Sequence, residues 1–312
     1  MIDLLPLDSP QWKTLKLSSG KAGSIPNSIR QFSSNPNFKG KLFDSIWQSA
    51  YHQYSLYDAM FAIIPHLVSI ADALPAEKCL NLWLVVGGAA AMYDPKIEHA
   101  PSNLLPGYEQ AIAHAEPRCL ENLQTAKLKL NEAYNLIVAA IGLAGHAVGK
   151  MEMDNMFAYD DAESKVICPK DESEIIVSVN DWGLAVISYD DDDPPSPPPK
   201  NARAPLANPG TFKGSKRTPN PWQNIGAELR DLATKKNLLA GVQPHIEIAA
   251  AVAEAGVTAK VKPGAIFSLI GALLTYKGFP KPALKYFHLW DSIECPNCQS
   301  KLIFADNWWG LR

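Results

Sequence analysis

Cys168-Pro169-Lys170-Asp171-Glu172-Ser173-Glu174-Ile175-Ile176-Val177 runs on to Asn180, Trp182, Gly183 and Leu184. The end of the chain repeats it as Cys295-Pro296-Asn297-Cys298-Gln299-Ser300-Lys301-Leu302-Ile303-Phe304, followed by Asn307, Trp309, Gly310 and Leu311. At an offset of 127 residues, eight of 17 aligned positions are identical, where average residue usage gives about one. A Cys-Pro turn followed by a short apolar run reads as a tight turn feeding a strand, here 175–179 and 302–304. The pattern predicts a tandem duplication in which helices lead into a small β-element in each copy.

Working outward from these two ends, both halves carry helical periodicity. In the first, Leu42–Tyr54 is amphipathic, and Ser55-Leu56-Tyr57-Asp58 has the spacing of a capping box for a helix bearing Met60, Ile64, Leu67, Ala71 and Leu74. Pro75 and Pro95 bracket a third helix over Glu77–Tyr93, in which Gly87-Gly88 permits close helix contact. A longer helical region, Arg118–Gly149, follows Pro117, a residue suited to a first helical turn. The second half reads as Trp222–Lys236, Leu238–Ala255 and Pro263–Tyr276. Pro65-His66 and Pro244-His245 recur before apolar stripes. An interior proline costs about 3 kcal/mol in a straight helix, so each pair marks either a kink or a start.

Between the halves lies a segment of different composition. Asp190, Asp191, Asp192 and Asp193 precede Pro194-Pro195-Ser196-Pro197-Pro198-Pro199, and the chain then turns basic at Lys200, Arg203, Lys213, Lys216 and Arg217. Nine of 25 prolines fall within 190–221, which predicts an extended connector. The first 40 residues, rich in Ser, Asn and Pro, read as an irregular arm. The expected organisation is therefore an arm (1–40), a helical half with its β-element (41–189), an Asp/Pro-rich linker (190–221), and a second helical half with a C-terminal C-x-x-C β-element (222–312).

Composition narrows the function classes. With 312 residues the chain can bury a core without disulfide or metal support. Its 47% hydrophobic and 20% charged residues fit an ordered globular protein. A net charge of −3 argues against bulk phosphate neutralisation, so nucleic acid is not the expected partner. The N-terminal MIDLLPLDSP lacks a basic region and does not read as a secretory signal. The 17 uncharged residues 133–149 are marginal for spanning a bilayer and read better as a core helix. Five cysteines form an odd count without a framework spacing, which points to reduced thiols and a cytoplasmic protein with no membrane association.

The chemistry centres on few residues. Cys295-Pro-Asn-Cys298 is half of a zinc-ribbon-like knuckle. The earlier copy keeps Cys168 but has Asp171 where the second cysteine would stand. Two readings stay open: a turn retained for its shape, or two elements facing each other so that Cys168, Asp171, Cys295 and Cys298 hold one zinc ion. No other cofactor is implied. The seven histidines lack a metal-ligand spacing, and no nucleophile elbow, phosphate loop or G-x-G-x-x-G occurs. Glu98, His99 and His114 are the one acid–base grouping available to an enzyme, and nothing in the sequence fixes their geometry. The Asp190–Asp193 run and the aromatics Trp308 and Trp309 are the candidate binding residues, as an acidic finger for a basic groove and as interface anchors.

The stretch Tyr51-His52-Gln53-Tyr54-Ser55-Leu56-Tyr57-Asp58-Ala59-Met60-Phe61-Ala62-Ile63-Ile64-Pro65-His66-Leu67 resembles a segment of bacterial HEAT-like helical-repeat proteins, some of which are immunity proteins of polymorphic toxin systems. The C-P-x-C element preceded by Tyr276-Lys277-Gly278-Phe279-Pro280 is similar to a C-terminal feature of such proteins. The resemblance implies a mainly α fold of HEAT-like stacked helical hairpins and a habit of binding; it implies no catalytic residues. The expected function is a non-catalytic protein-binding protein, foremost an immunity protein that covers the active site of a cognate toxin. The alternatives are an uncharacterised enzyme, and a zinc-binding adaptor that touches nucleic acid through Lys200–Arg217.

Overall fold

The computed structural model describes residues 2–52, 55–93, 100–146, 148, 162–187 and 205–307. Helix accounts for 54% of it and strand for 11%, so helix packing builds the core and the sheets are small antiparallel fittings. Among the described residues no helix is long and apolar enough to cross a membrane. Two compact units share the chain, Met1–Lys127 with Val138–Lys150, and Leu128–Ile137 with Met151–Arg312.

In the first unit, the first 40 residues are not an irregular arm. They carry a two-stranded ribbon, β1 (Lys16–Leu17) and β2 (Gly20–Lys21), and helix α1 (Ile25–Ser34) with Pro26 in its first turn. Ile25, Ile29 and Phe32 form a narrow buried stripe on an otherwise polar helix. Phe38 then packs edge to face on both Phe32 and Phe43, and Phe32 tilts against Phe43, with ring centroids 5.1 to 6.0 Å apart, joining α1 to α2 (Lys41–Ala50). Trp12 is buried and donates its indole N–H to the Pro6 carbonyl at 3.0 Å.

The helix expected to open at Ser55 opens after Ala59 instead, as α3 (Met60–Ala71), and Ser55–Leu56 (β4) pairs with Tyr51–His52 (β3) ahead of it. Pro65 sits inside α3, whereas Pro244 lies in the first turn of its helix. The helix tolerates Pro65 because ten of its 12 residues are buried, and burial of each large apolar side chain contributes about 1.5–3 kcal/mol. Helix α4 (Leu80–Met92) is shorter than expected, since 76–78 form a separate single turn. The region read as one helix from Arg118 is two: α5 (Leu105–Thr125), with Pro106 at its start and Pro117 inside it, and α6 (Leu130–Leu143). The break is specified locally: Ala126 is extended, and Glu132 reaches back to accept the Lys129 amide at 2.9 Å. Gly87 provides the close contact expected of it. A Cβ there would lie 2.5 Å from the Ala139 Cβ, and one on Gly142 would lie 2.5 Å from the Gly87 carbonyl.

The second unit holds both β-elements. Strands β5 (Ala162–Ile167), β6 (Glu174–Asn180) and β7 (Gly183–Ile187) form one antiparallel sheet. Helices α7 (Gln223–Ala233), α8 (Val242–Ala255), α9 (Pro263–Tyr276) and α10 (Pro280–His288) each pack on the next in sequence. Strands β8 (Ser292–Glu294) and β9 (Lys301–Ile303) then pair, and a single turn, α11 (Phe304–Asn307), follows. The earlier β-element thus groups with the second set of helices, not with the first half as expected. Residues 190–204 of the connector lie outside the described residues. Residues 205–221 lack helix and strand but are fastened, not free. The Ala207 amide donates to Asp291 Oδ1 at 3.1 Å, Arg217 N–H to the Ala255 carbonyl at 2.7 Å, and Asn220 Nδ2 to the carbonyls of Ala253 and Glu254 at 2.9 and 3.0 Å. The last carbonyls of α8 need donors, and this segment supplies them.

Candidate metal centre

Each Cys-Pro turn is the loop of a hairpin, β5–β6 in one case and β8–β9 in the other. The two loops share their main-chain bonding. The Cys168 N–H donates to the Ser173 carbonyl at 3.0 Å, and the Cys168 carbonyl accepts from Glu172 N–H at 3.0 Å; Cys295 does the same with Ser300 and Gln299, at 2.9 Å each. Glu172 and Gln299 both have φ of 59°, the left-handed conformation that closes the turn and aims its amides inward. The correspondence ends after Ile176 and Ile303. Val177 continues a strand, while Phe304 starts a helical turn.

The turns bring Cys168, Asp171, Cys295 and Cys298 together, with their ligand atoms all within 4.8 Å of one another. Cys168 Sγ is 3.6 Å from Cys298 Sγ, and Cys295 Sγ is 3.6 Å from Asp171 Oδ2. A tetrahedral zinc with Zn–S bonds of about 2.3 Å spaces its sulfurs by about 3.8 Å, and a carboxylate oxygen is an accepted zinc donor. The donor set and its spacing therefore fit a zinc ion. Cys168 and Cys295 are buried, Cys298 is half-buried and Asp171 is exposed.

Two serines brace the cluster. Ser173 Oγ donates to Asp171 Oδ1 at 2.7 Å and lies 3.4 Å from Cys295 Sγ. Ser300 Oγ lies 2.9 Å from Cys298 Sγ and 3.5 Å from Cys168 Sγ. The Cys168 thiol, then the Ser173 hydroxyl, hold the Asp171 carboxyl below its usual range. Burial opposes the Cys295 thiolate, but the Ser173 hydroxyl and the amides of Cys298 and Asn297 outweigh it and lower the thiol. At Cys298 the Ser300 hydroxyl and amide favour the thiolate, yet burial and the sulfurs of Cys168 and Cys295 leave the thiol raised. A carboxylate and three ionisable thiols crowded in this way suit a cation between them.

The other cysteines are of a different kind. Burial pushes the Cys79 thiol up to about 11, partly offset by Arg118, and raises Cys119 further. Both are buried packing residues. His66 and His245 are buried within the helix packing. His66 Nε2 lies 2.8 Å from the Leu5 carbonyl, and His245 Nδ1 lies 3.2 Å from Ser268 Oγ beneath the Phe287 ring. Glu98 and His99 lie outside the described residues; their imagined partner His114 is exposed and pairs with Asp72 at 2.5 Å. Asp190, Asp191, Asp192, Asp193, Trp308 and Trp309 also lie outside the described residues. Ser173 and Ser300 carry no ligand signal in the sequence, although together they form one of its eight repeated identities.

No family model, no curated protein and no solved structure matches this chain.

Proposed function

We propose that the chain is a non-catalytic, zinc-stabilised binding protein, in which two zinc-ribbon-like turns descended from one ancestral unit close on a single ion. The observation that carries this reading is the convergence of four donor atoms, within 4.8 Å, from turns 127 residues apart. Four protein ligands leave no open position on a tetrahedral zinc, so the ion's role is structural. It fixes the β8–β9 hairpin against the sheet formed by β5, β6 and β7. Purified protein should carry about one zinc per chain by elemental analysis, and Cys298→Ser should lose it. Metal-free protein that is equally stable with and without added zinc would refute the reading.

We further propose that the helical part serves a protein partner, in the manner of HEAT-like hairpins and most specifically of an immunity protein covering a toxin's active site. Consecutive packing of α7 to α10 supports the stacked-hairpin reading. The resemblance of 51–67 and the lack of a catalytic motif support the binding role. The test is genetic and physical together: a toxin encoded beside this chain should kill only cells lacking it and should co-purify with it. Survival that is the same with and without this chain would dismiss the immunity role.

A further inference from the structure

The second unit contains a cleft of about 360 Å³ that has no part in the metal centre. Its walls come from the fastened segment 209–215, from the link between α8 and α9, and from Trp290. Lys213, Lys260 and Lys262 line it, against one acid, Asp306. No carboxylate among the described residues pairs with any of the three lysines. Phe212, Val261, Ala265 and Trp290 give the lining an apolar part. Trp290 is held rigidly, donating its indole N–H to Ser268 Oγ at 2.9 Å and lying so close to Gly264 that a Cβ there would meet the ring at 2.8 Å. Lys262 is the N-cap of the 14-residue helix α9, and no side chain caps that end.

We propose that this cleft binds a small phosphorylated organic molecule of mononucleotide size. Three ammonium groups with no carboxylate partner among the described residues supply the charge that recognises a phosphate. The volume and aromatic wall suit an organic body of a few hundred Å³. A bare inorganic ion would leave that wall uncovered, and an uncharged nucleoside would leave the lysines unpaired.

The test titrates the purified full chain with adenosine 5′-monophosphate, inorganic phosphate and adenosine by calorimetry. The monophosphate should bind at least ~10-fold more tightly than either fragment. The double variant Lys260→Gln/Lys262→Gln should weaken it at least ~10-fold. Lys216→Gln, exposed and outside the cleft, should change nothing. Circular dichroism should show all the variants folded. No binding of the monophosphate at millimolar concentration, equal binding of monophosphate and adenosine, or unchanged affinity in the double variant would overturn the proposal.

Discussion

Ser173 and Ser300 stand in one relation to the cysteine cluster: each hydroxyl touches the second donor of its own turn and the first cysteine of the other. Ser173 spans Asp171 and Cys295, and Ser300 spans Cys298 and Cys168. The two turns are thereby latched together by side chains before any metal is considered. Groups that orient metal ligands in this way typically account for 10–100-fold in affinity. Ser173→Ala and Ser300→Ala should each weaken zinc binding by roughly that factor, measured by competition with a chromophoric chelator. Affinity unchanged in both variants would show that the hydroxyls only fill space.

The fourth donor is where the two copies differ most. Replacing Asp171 with cysteine restores the pattern of the second turn and exchanges an exposed oxygen for sulfur. Asp171→Cys should hold zinc at least ~10-fold more tightly, because thiolate is the softer, preferred ligand. Asp171→Ala should release it under the same chelator. Equal retention by the wild type and Asp171→Ala would exclude the carboxylate from the site.

His245 makes stability depend on pH. Burial lowers its pKa to about 4, and His66 is lowered by burial too. The unfolded chain, with histidines near 6.5, binds more protons between these values, so stability is full above about pH 6.5 and falls as pH drops toward 4. For His245 the loss amounts to about 3 kcal/mol. Urea denaturation at pH 7 and pH 4.5 should show it, and His245→Gln should reduce the difference. A midpoint independent of pH across this window would contradict the burial.

Gly87 faces α6 so closely that it reverses a general rule. Glycine to alanine in a helix normally stabilises by about 1 kcal/mol. At Gly87 the added methyl would lie 2.5–2.6 Å from the Cβ, Cα and carbonyl of Ala139, and such overpacking costs about 1–3 kcal/mol. Gly87→Ala should lower the thermal midpoint; a raised midpoint would mean the helices are not in contact there.

The long apolar stripes were legible: helix 263–276 runs as read, and the close approach at Gly87 follows from its small side chain. The turns were legible as a repeat because Cys168, Pro169 and Ser173 recur as Cys295, Pro296 and Ser300, although the second donor differs, Asp171 against Cys298. What was missed depends on partners distant in sequence. Helix α1 has a stripe of only a few apolar residues, which becomes decisive only when Phe38 and Phe43 close on it. The fastening of 205–221 depends on the carbonyls at the end of α8, some 35 residues away. Composition reads those prolines correctly as non-helical and says nothing of what they bond to. The turn at 126–129 is a case of weak local chemistry, one glutamate reaching one amide, hidden inside an otherwise helical run.

Replacing the metal with cobalt(II) probes the donor set most directly, because sulfur-to-cobalt charge transfer reports thiolate ligation and the visible bands report tetrahedral geometry. Apo-protein titrated with one equivalent of cobalt should develop both, with charge-transfer intensity that falls by about one third in each of Cys168→Ser, Cys295→Ser and Cys298→Ser. A spectrum without thiolate charge transfer, or one unaltered by losing Cys168, would mean that the two turns do not share an ion.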